Sequence, residues 1–497
     1  MAASLDTHHA LIRFGLGPRP GEAKAINDPR AWLLAQVQGK PRELSAGFAA
    51  LPSSLDYFGR EIDYIKEAAA DKKQRGDQPT PQASPTQATA AVLGSADDPS
   101  PAGRKRKQPG QVQGFRKVFG ADLLAEVRAR YHWAISTEDG FHERLTHFWS
   151  NHFAVSLDKR AASLYVMPME REAIRPNVGG RFEDMLLAVA RHPAMLRYLD
   201  NVASVGDDSQ AAQRLQQRAQ QKGRKLGLNE NLAREILELH TLGVDGGYSQ
   251  SDVTEFARAL TGWSMPRPRQ LQGRAPSAAF EFYDITHEPG ARTVLGKRYA
   301  EGGEEQAQAI LHDLARHPAT AKHLATKLTR HFVADQPPPT MVARIAKTYL
   351  DHDGDLAAVY KAVIDSPEAW DPANRKLRTP DDWLVAAMRA GAIDIDQKLR
   401  PSMDLLAKMG QPTLTPRSPA GYADIAADWN GSDALFKRVQ AAQLLSDWIA
   451  RDRDPIAMAQ DALGTQLDGD TATGIRRAES PQQGYALLLA SPAFQWR

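Results

Sequence analysis

From Phe115 onward, apolar residues return at i, i+3 and i+4. A segment with that spacing buries its apolar stripe most readily as an amphipathic helix packed on other helices. The pattern predicts helices over 121–136, 143–153, 181–199, 230–240, 251–261, 304–316 and 320–333, with Val253, Phe256, Ala257 and Leu260 as a clear instance. Only 279–283 and 292–295 read as strands, on either side of a Pro289-Gly290 turn. The expected fold is therefore mainly α, a multi-helix orthogonal bundle with one short β-hairpin.

No repeat of solenoid length interrupts this pattern, so residues 1–71 and 115–497 read as one continuous helical domain. Residues 72–114 differ in kind, being rich in Pro, Gln, Thr, Ser and Gly and ending near the basic run Arg104-Lys105-Arg106-Lys107. Too little apolar surface is present there to offset the entropy of ordering, so the stretch is expected to be a flexible insertion. The 497 residues carry a formal charge of +2, which supplies no overall field for nucleic acid or an anionic membrane, and neither partner is expected. Cysteine is absent, excluding disulfides, thiolate metal sites and a cysteine nucleophile. As written, the N-terminus shows no signal-peptide pattern, and no run approaches the roughly 18 apolar residues of a membrane span. A cytoplasmic protein is expected, or a periplasmic or secreted one if a signal was removed.

The chemistry concentrates at Asn229 through Thr241. At about 100° per residue, Glu230, Arg234, Glu238 and Thr241 form one stripe with Asn231 and Glu235 beside it, and His240 falls among Leu232, Ala233, Ile236, Leu237 and Leu239. Capping by Asn229 or Asn231 and an i,i+4 Glu230/Arg234/Glu238 ladder explain much of the charge. They do not explain an inward histidine. In Phe141–Phe153 the face of Phe141, Leu145, Phe148 and Trp149 likewise contains His152, opposite Glu143, Arg144, His147 and Asn151. Histidine titrates near about 6.5, which suits proton transfer or neutral metal ligation. Asp284 and His287 stand on the turn between the expected strands.

A calcium loop over 241–252 would have Thr241 and Gly243 at its first ligand positions and is read instead as a helix end and turn, with Ser251 capping the next helix. There is no P-loop, strand-linked GxGxxG, GxSxG elbow or HExxH.

His9–Pro18, Arg144–Phe153, Asn229–Leu242 with Gly246-Gly247-Tyr248, Ala259–Trp263, His287 with Thr293–Gly296, Ser418–Tyr422 and Leu489–Phe494 together resemble the bacterial family called domain of unknown function 1800. The resemblance runs through nearly the whole chain in family order. It implies a mostly helical bacterial protein, often exported, and supplies no reaction. Ser150 stands where many relatives have a histidine, which weakens a metal cluster built around His152, and no export signal precedes the first motif.

The expectation drawn from these residues is a hydrolase acting on a polysaccharide or oligosaccharide by carboxylate acid/base catalysis. Glu230 or Glu235 would be the acid, Glu238 or Asp245 its partner, Arg234 and His240 would tune their pKa and orientation, and His152 joins the catalytic group. Arg234, Asn151, Asn231, Trp149, Tyr248, Trp263 and His287 would bind substrate, the aromatic rings by stacking on sugars. No cofactor is expected on that reading. Two alternatives stand beside it: a hydrolase or oxygenase using a divalent transition metal on His152, His240, His287 and Glu238, and a non-enzymatic helical binding or assembly protein.

Overall fold

Proline and histidine divide helices in ways the apolar spacing alone does not show. In the computed structural model, which describes residues 7–38, 46–75, 114–219, 227–268, 271 and 276–497, the helix expected over 181–199 is two, Phe182–Arg191 and Pro193–Tyr198. Pro193 has no N–H and disfavours helical backbone at His192. His192 becomes the N-cap, its Nδ1 accepting the Ala194 N–H at 3.2 Å. The same device starts Pro318–Phe332, where His317 Nδ1 accepts from Ala319 at 3.1 Å.

The remaining expected helices are present, with ends shifted by a few residues: Phe115–Ser136, Gly140–His152, Gln250–Ala259 and Glu304–Ala315. The helix from Ser54 runs to Arg75, past the expected start of the insertion at Lys72. Residues 76–113 of that insertion, with Arg104–Lys107, lie outside the described residues, and Gly114 is the N-cap of Phe115–Ser136. The protein is mainly α, and among the described residues no helix is long and apolar enough to cross a membrane. One contiguous core cluster takes in buried apolar residues from Ala10 to Phe494.

The strand pairing differs from the expected hairpin. β1 (Trp263–Ser264) pairs antiparallel with β2 (Glu281–Phe282), and β3 (Arg292–Val294) pairs with β4 (Lys297–Tyr299). The true hairpin turns at Leu295-Gly296, both at positive φ (51° and 74°), the backbone a two-residue hairpin loop requires. Pro289-Gly290 is a link between two separate ribbons.

Local chemistry also shifts the caps around the 229–241 motif. Asn229 Oδ1 accepts the Asn231 N–H at 2.9 Å, as expected of a capping residue. The next helix is capped by Ser249 in place of Ser251. The Ser249 hydroxyl accepts the Asp252 N–H at 3.2 Å while Asp252 Oδ2 accepts the Ser249 N–H at 2.8 Å, a reciprocal capping box. Asp252 Oδ1 also accepts the Leu295 N–H at 2.7 Å, tying the β3–β4 turn to that helix.

Candidate functional site

A cavity of about 430 Å³ opens where two helices face each other. Gly140–His152 presents His147, Phe148, Asn151 and His152, and Pro318–Phe332 presents His323, Lys327, Arg330 and His331. Residues four apart on a helix share a face, so His323, Lys327 and His331 form one stripe along the wall. Asp381 and Asp382 enter from the first turn of Pro380–Gly391, and a segment from Gln411 to Asp428, irregular until a 3-10 turn at Ala426–Asp428, covers the remaining side. Asn151 clasps that segment: its Nδ2 donates to the Tyr422 carbonyl at 2.9 Å and its Oδ1 accepts the Tyr422 N–H at 2.7 Å. Gly421 sits at φ 80° with its α-carbon so close that a Cβ would lie 2.4 Å from the Asn151 carbonyl oxygen. Only glycine meets both conditions.

Three of the imidazoles have assignable tautomers, because a carbonyl or carboxylate can only accept. His331 Nδ1 donates to Asp424 Oδ2 at 2.8 Å, leaving Nε2 as a lone pair with no partner among the described residues. Burial pushes His331 down to about 4 in spite of Asp424, so the ring is neutral at pH 7. Burial alone would raise Asp424, but His331, Lys376 and Arg497 hold it down to about 2. The pair is therefore a carboxylate orienting a neutral imidazole.

His152 and His323 do different work. His152 Nε2 donates to the His240 carbonyl at 3.1 Å, and His323 Nε2 to the Leu239 carbonyl at 3.1 Å. Both carbonyls belong to a π turn, Ile236–His240, which ends the helix that starts at Asn231. The last carbonyls of a helix lack intrahelical partners, and these two imidazoles supply them. His240 itself is buried with its ring centroid 6.0 Å from that of His152. Burial, then the Lys327 charge, then His323 push His240 down to about 3.

Lys327 lies among these neutral rings. No hydrogen bond or ion pair joins its ammonium to any described residue, and burial pushes it down to about 8. It stands one helical turn from His331. On the opposite wall, Arg130 donates to Glu170 at 2.9 Å, and Ser150 to the same carboxylate at 2.8 Å. Glu143 receives a bidentate Arg175 at 2.5 and 2.7 Å, so the polar face of Gly140–His152 is buried against charges and not left to water.

Of the residues singled out from the sequence, Asn151 and His152 line this cavity and His240 stands behind His152. The carboxylates do not. Glu230 is taken up by Thr254 at 2.6 Å, Gln250 at 2.8 Å and Arg234 at 3.1 Å, which lowers its pKa. Glu238 accepts from Tyr248 at 3.1 Å, and Asp245 and Asn231 are exposed. Glu235 is raised by partial burial and by Glu238, without facing the cavity. The expected stacking platforms Trp149 and Trp263 are fully buried, with Trp149 Nε1 donating to Tyr360 at 2.6 Å and Trp263 edge-on to Phe280. Neither presents a face to a ligand. His287 sits apart, its Nδ1 donating to the Thr261 carbonyl at 2.8 Å.

Among the described residues no group of three or more His, Asp or Glu side chains is arranged to hold a metal ion, and His152, His240, His287 and Glu238 do not converge. Sequence reasoning passed over His323, Lys327, His331, Asp382 and Asp424. The i,i+4,i+8 recurrence of His, Lys and His within the expected helix over 320–333 was the available signal for three of them. Nothing local marks Asp424 as the partner of His331.

A family model described as "Protein of unknown function (DUF1800)" matches residues 9–496. No curated protein and no solved structure matches the chain.

Proposed function

The chain belongs to the DUF1800 family of proteins of unknown function, and from the chemistry of its cavity we propose that it is a hydrolase working by acid/base catalysis. The observation that carries this reading is the Asp424–His331 pair, with an unpartnered Nε2 on a ring that lines the cavity. Asp424 fixes the tautomer and stabilises the imidazolium that forms when Nε2 takes a proton from an attacking water. Lys327, one turn away and cationic at neutral pH, is placed to neutralise developing negative charge or to protonate a leaving group.

The reaction class anticipated from the sequence is retained, and the residues that carry it change. Asp382 and Asp424 are both held in the ionised form by neighbouring cations, so Lys327 takes the acid role that the glycosidase reading gave to a glutamate. A volume of about 430 Å³ suits a small molecule or the end of an oligosaccharide better than the middle of a polymer.

The test is a panel of chromogenic esters, phosphoesters and glycosides with wild type, His331→Asn and Asp424→Asn, each checked for folding by circular dichroism. A substrate turned over by wild type should lose about 10²–10⁴ in rate with His331→Asn. Full activity of a folded His331→Asn protein would overturn the reading.

A further inference from the structure

The cavity wall carries a lysine whose charge nothing in the fold answers. Among the described residues, Lys327 is the one lysine that lines the cavity, on the helix Pro318–Phe332. It is half-buried, bonded to no described residue and not among the polar atoms sealed without a partner, so its Nζ is open to the cavity. Lys376 shows the contrast: Asp335 accepts from it, and so does the Asp424 carbonyl at 2.7 Å. Asp424, the carboxylate whose charge reaches Lys327, is engaged by His331 at 2.8 Å and by Lys376 at 3.7 Å.

The neighbours of Lys327 make its charge costlier. His323 and His331, four residues to either side, are neutral rings and supply no counter-charge. Arg330, three residues on, lines the same cavity with a like charge, and Phe148, Val155, Leu239 and Leu414 add apolar wall. Burial lowers Lys327, Asp424 raises it and Arg330 lowers it again, leaving it at about 8. About a tenth of the side chain is then free amine at pH 7, against fewer than about one in a thousand for a lysine at its usual value of about 10.4. A desolvated lysine beside another cation is the arrangement that makes a nucleophile of an ammonium group.

We propose that Lys327 is a nucleophilic amine that takes a small aldehyde or ketone as a protonated imine in this cavity. The ammonium first gives one proton to solvent. The amine then forms a C–N bond at the carbonyl carbon while the C=O π pair moves to oxygen. Nitrogen loses one proton and oxygen gains two, the second being the one given to solvent, and the oxygen leaves as water. One ammonium and one carbonyl thus give one iminium and one water. The apolar wall suits a neutral carbonyl compound, and a volume of about 430 Å³ limits it to a small molecule. Imine formation is independent of the hydrolase reading, because trapping it requires no turnover.

Brief exposure of the wild-type protein to acetaldehyde, a borohydride quench and peptide mapping by mass spectrometry test the idea. Lys322, an exposed lysine on the same helix, is the internal reference. At pH 7 the reduced N-ethyl adduct on Lys327 should exceed that on Lys322 by about tenfold or more, although Lys322 is the more accessible. Its yield should level off above about pH 8, while that of Lys322 climbs to about pH 10. An adduct on Lys327 no greater than that on Lys322 at pH 7 overturns the proposal, as does one that rises in step with it to about pH 10. The two readings fail separately: a His331→Asn protein without turnover beside an unlabelled Lys327 sinks only the imine, and a labelled Lys327 beside a fully active His331→Asn sinks only the hydrolase.

Discussion

His331 and Asp424 are 93 residues apart in the chain, and their side chains meet at 2.8 Å across the wall of the cavity. That pairing decides which imidazole nitrogen is free. It also separates His331 from His152 and His323, whose N–H groups are committed to backbone carbonyls.

Replacing Asp424 by Asn should lower turnover by less than His331→Asn does, because the imidazole remains but its imidazolium loses a compensating charge. A drop of about 10²-fold or more in kcat, with KM little changed, is expected. Steady-state kinetics on the substrate found by the panel measures it, and a change confined to KM would contradict the assignment.

The buried and half-buried imidazoles make stability depend on pH in a stated direction. His240, His323 and His331 have folded-state values of about 3, 4 and 4, below the unfolded value of about 6.5. Between those limits the unfolded chain binds more protons, so stability rises with pH and is lost as pH falls from about 6.5 toward 4. Urea denaturation at pH 7.5 and pH 5 should show a loss of several kcal/mol in all. Equal midpoints would count against neutral buried rings.

Lys327→Met removes a charge that helps hold His152, His240 and His323 neutral. Their pKa values should move upward, and NMR titration of the imidazole signals reads this directly. Static values would mean that Lys327 does not act on them.

Gly421→Ala places a methyl against the Asn151 carbonyl at a left-handed backbone position. It should destabilise the protein by about 1–3 kcal/mol and loosen the 411–428 segment over the cavity. Thermal unfolding and protease sensitivity within that segment are the readouts, and wild-type behaviour in both would contradict the clasp.

Glu230→Gln and Glu238→Gln touch hydrogen bonds outside the cavity. Turnover should stay within about twofold of wild type, the usual reach of a surface substitution. A large loss in either variant would return the acid/base role to the 229–241 helix.

How much was legible beforehand follows from what kind of rule each feature obeys. The i, i+3, i+4 spacing fixes which face of a segment is apolar without reference to anything distant, so the helices, their inward faces and the inward-pointing His152 and His240 could be read directly. The break at His192-Pro193 is equally local, and its cap was missed because periodicity takes no account of the missing proline N–H. The strand partners were not legible, because a two-residue strand carries no register of its own.

The sequence by itself determined that this is a helical protein with histidines turned inward and without thiol chemistry. Only the tertiary structure decided which polar groups share a space. Glu230 and Glu238 found partners within the next 24 residues and are spent there, whereas Asp382 reaches Arg144 on the Gly140–His152 helix and Asp424 reaches His331 on the Pro318–Phe332 helix from far along the chain. A buried charge is costly where the fold brings it no counterpart, and such a counterpart is set by the packing of remote segments, not by their spacing in sequence.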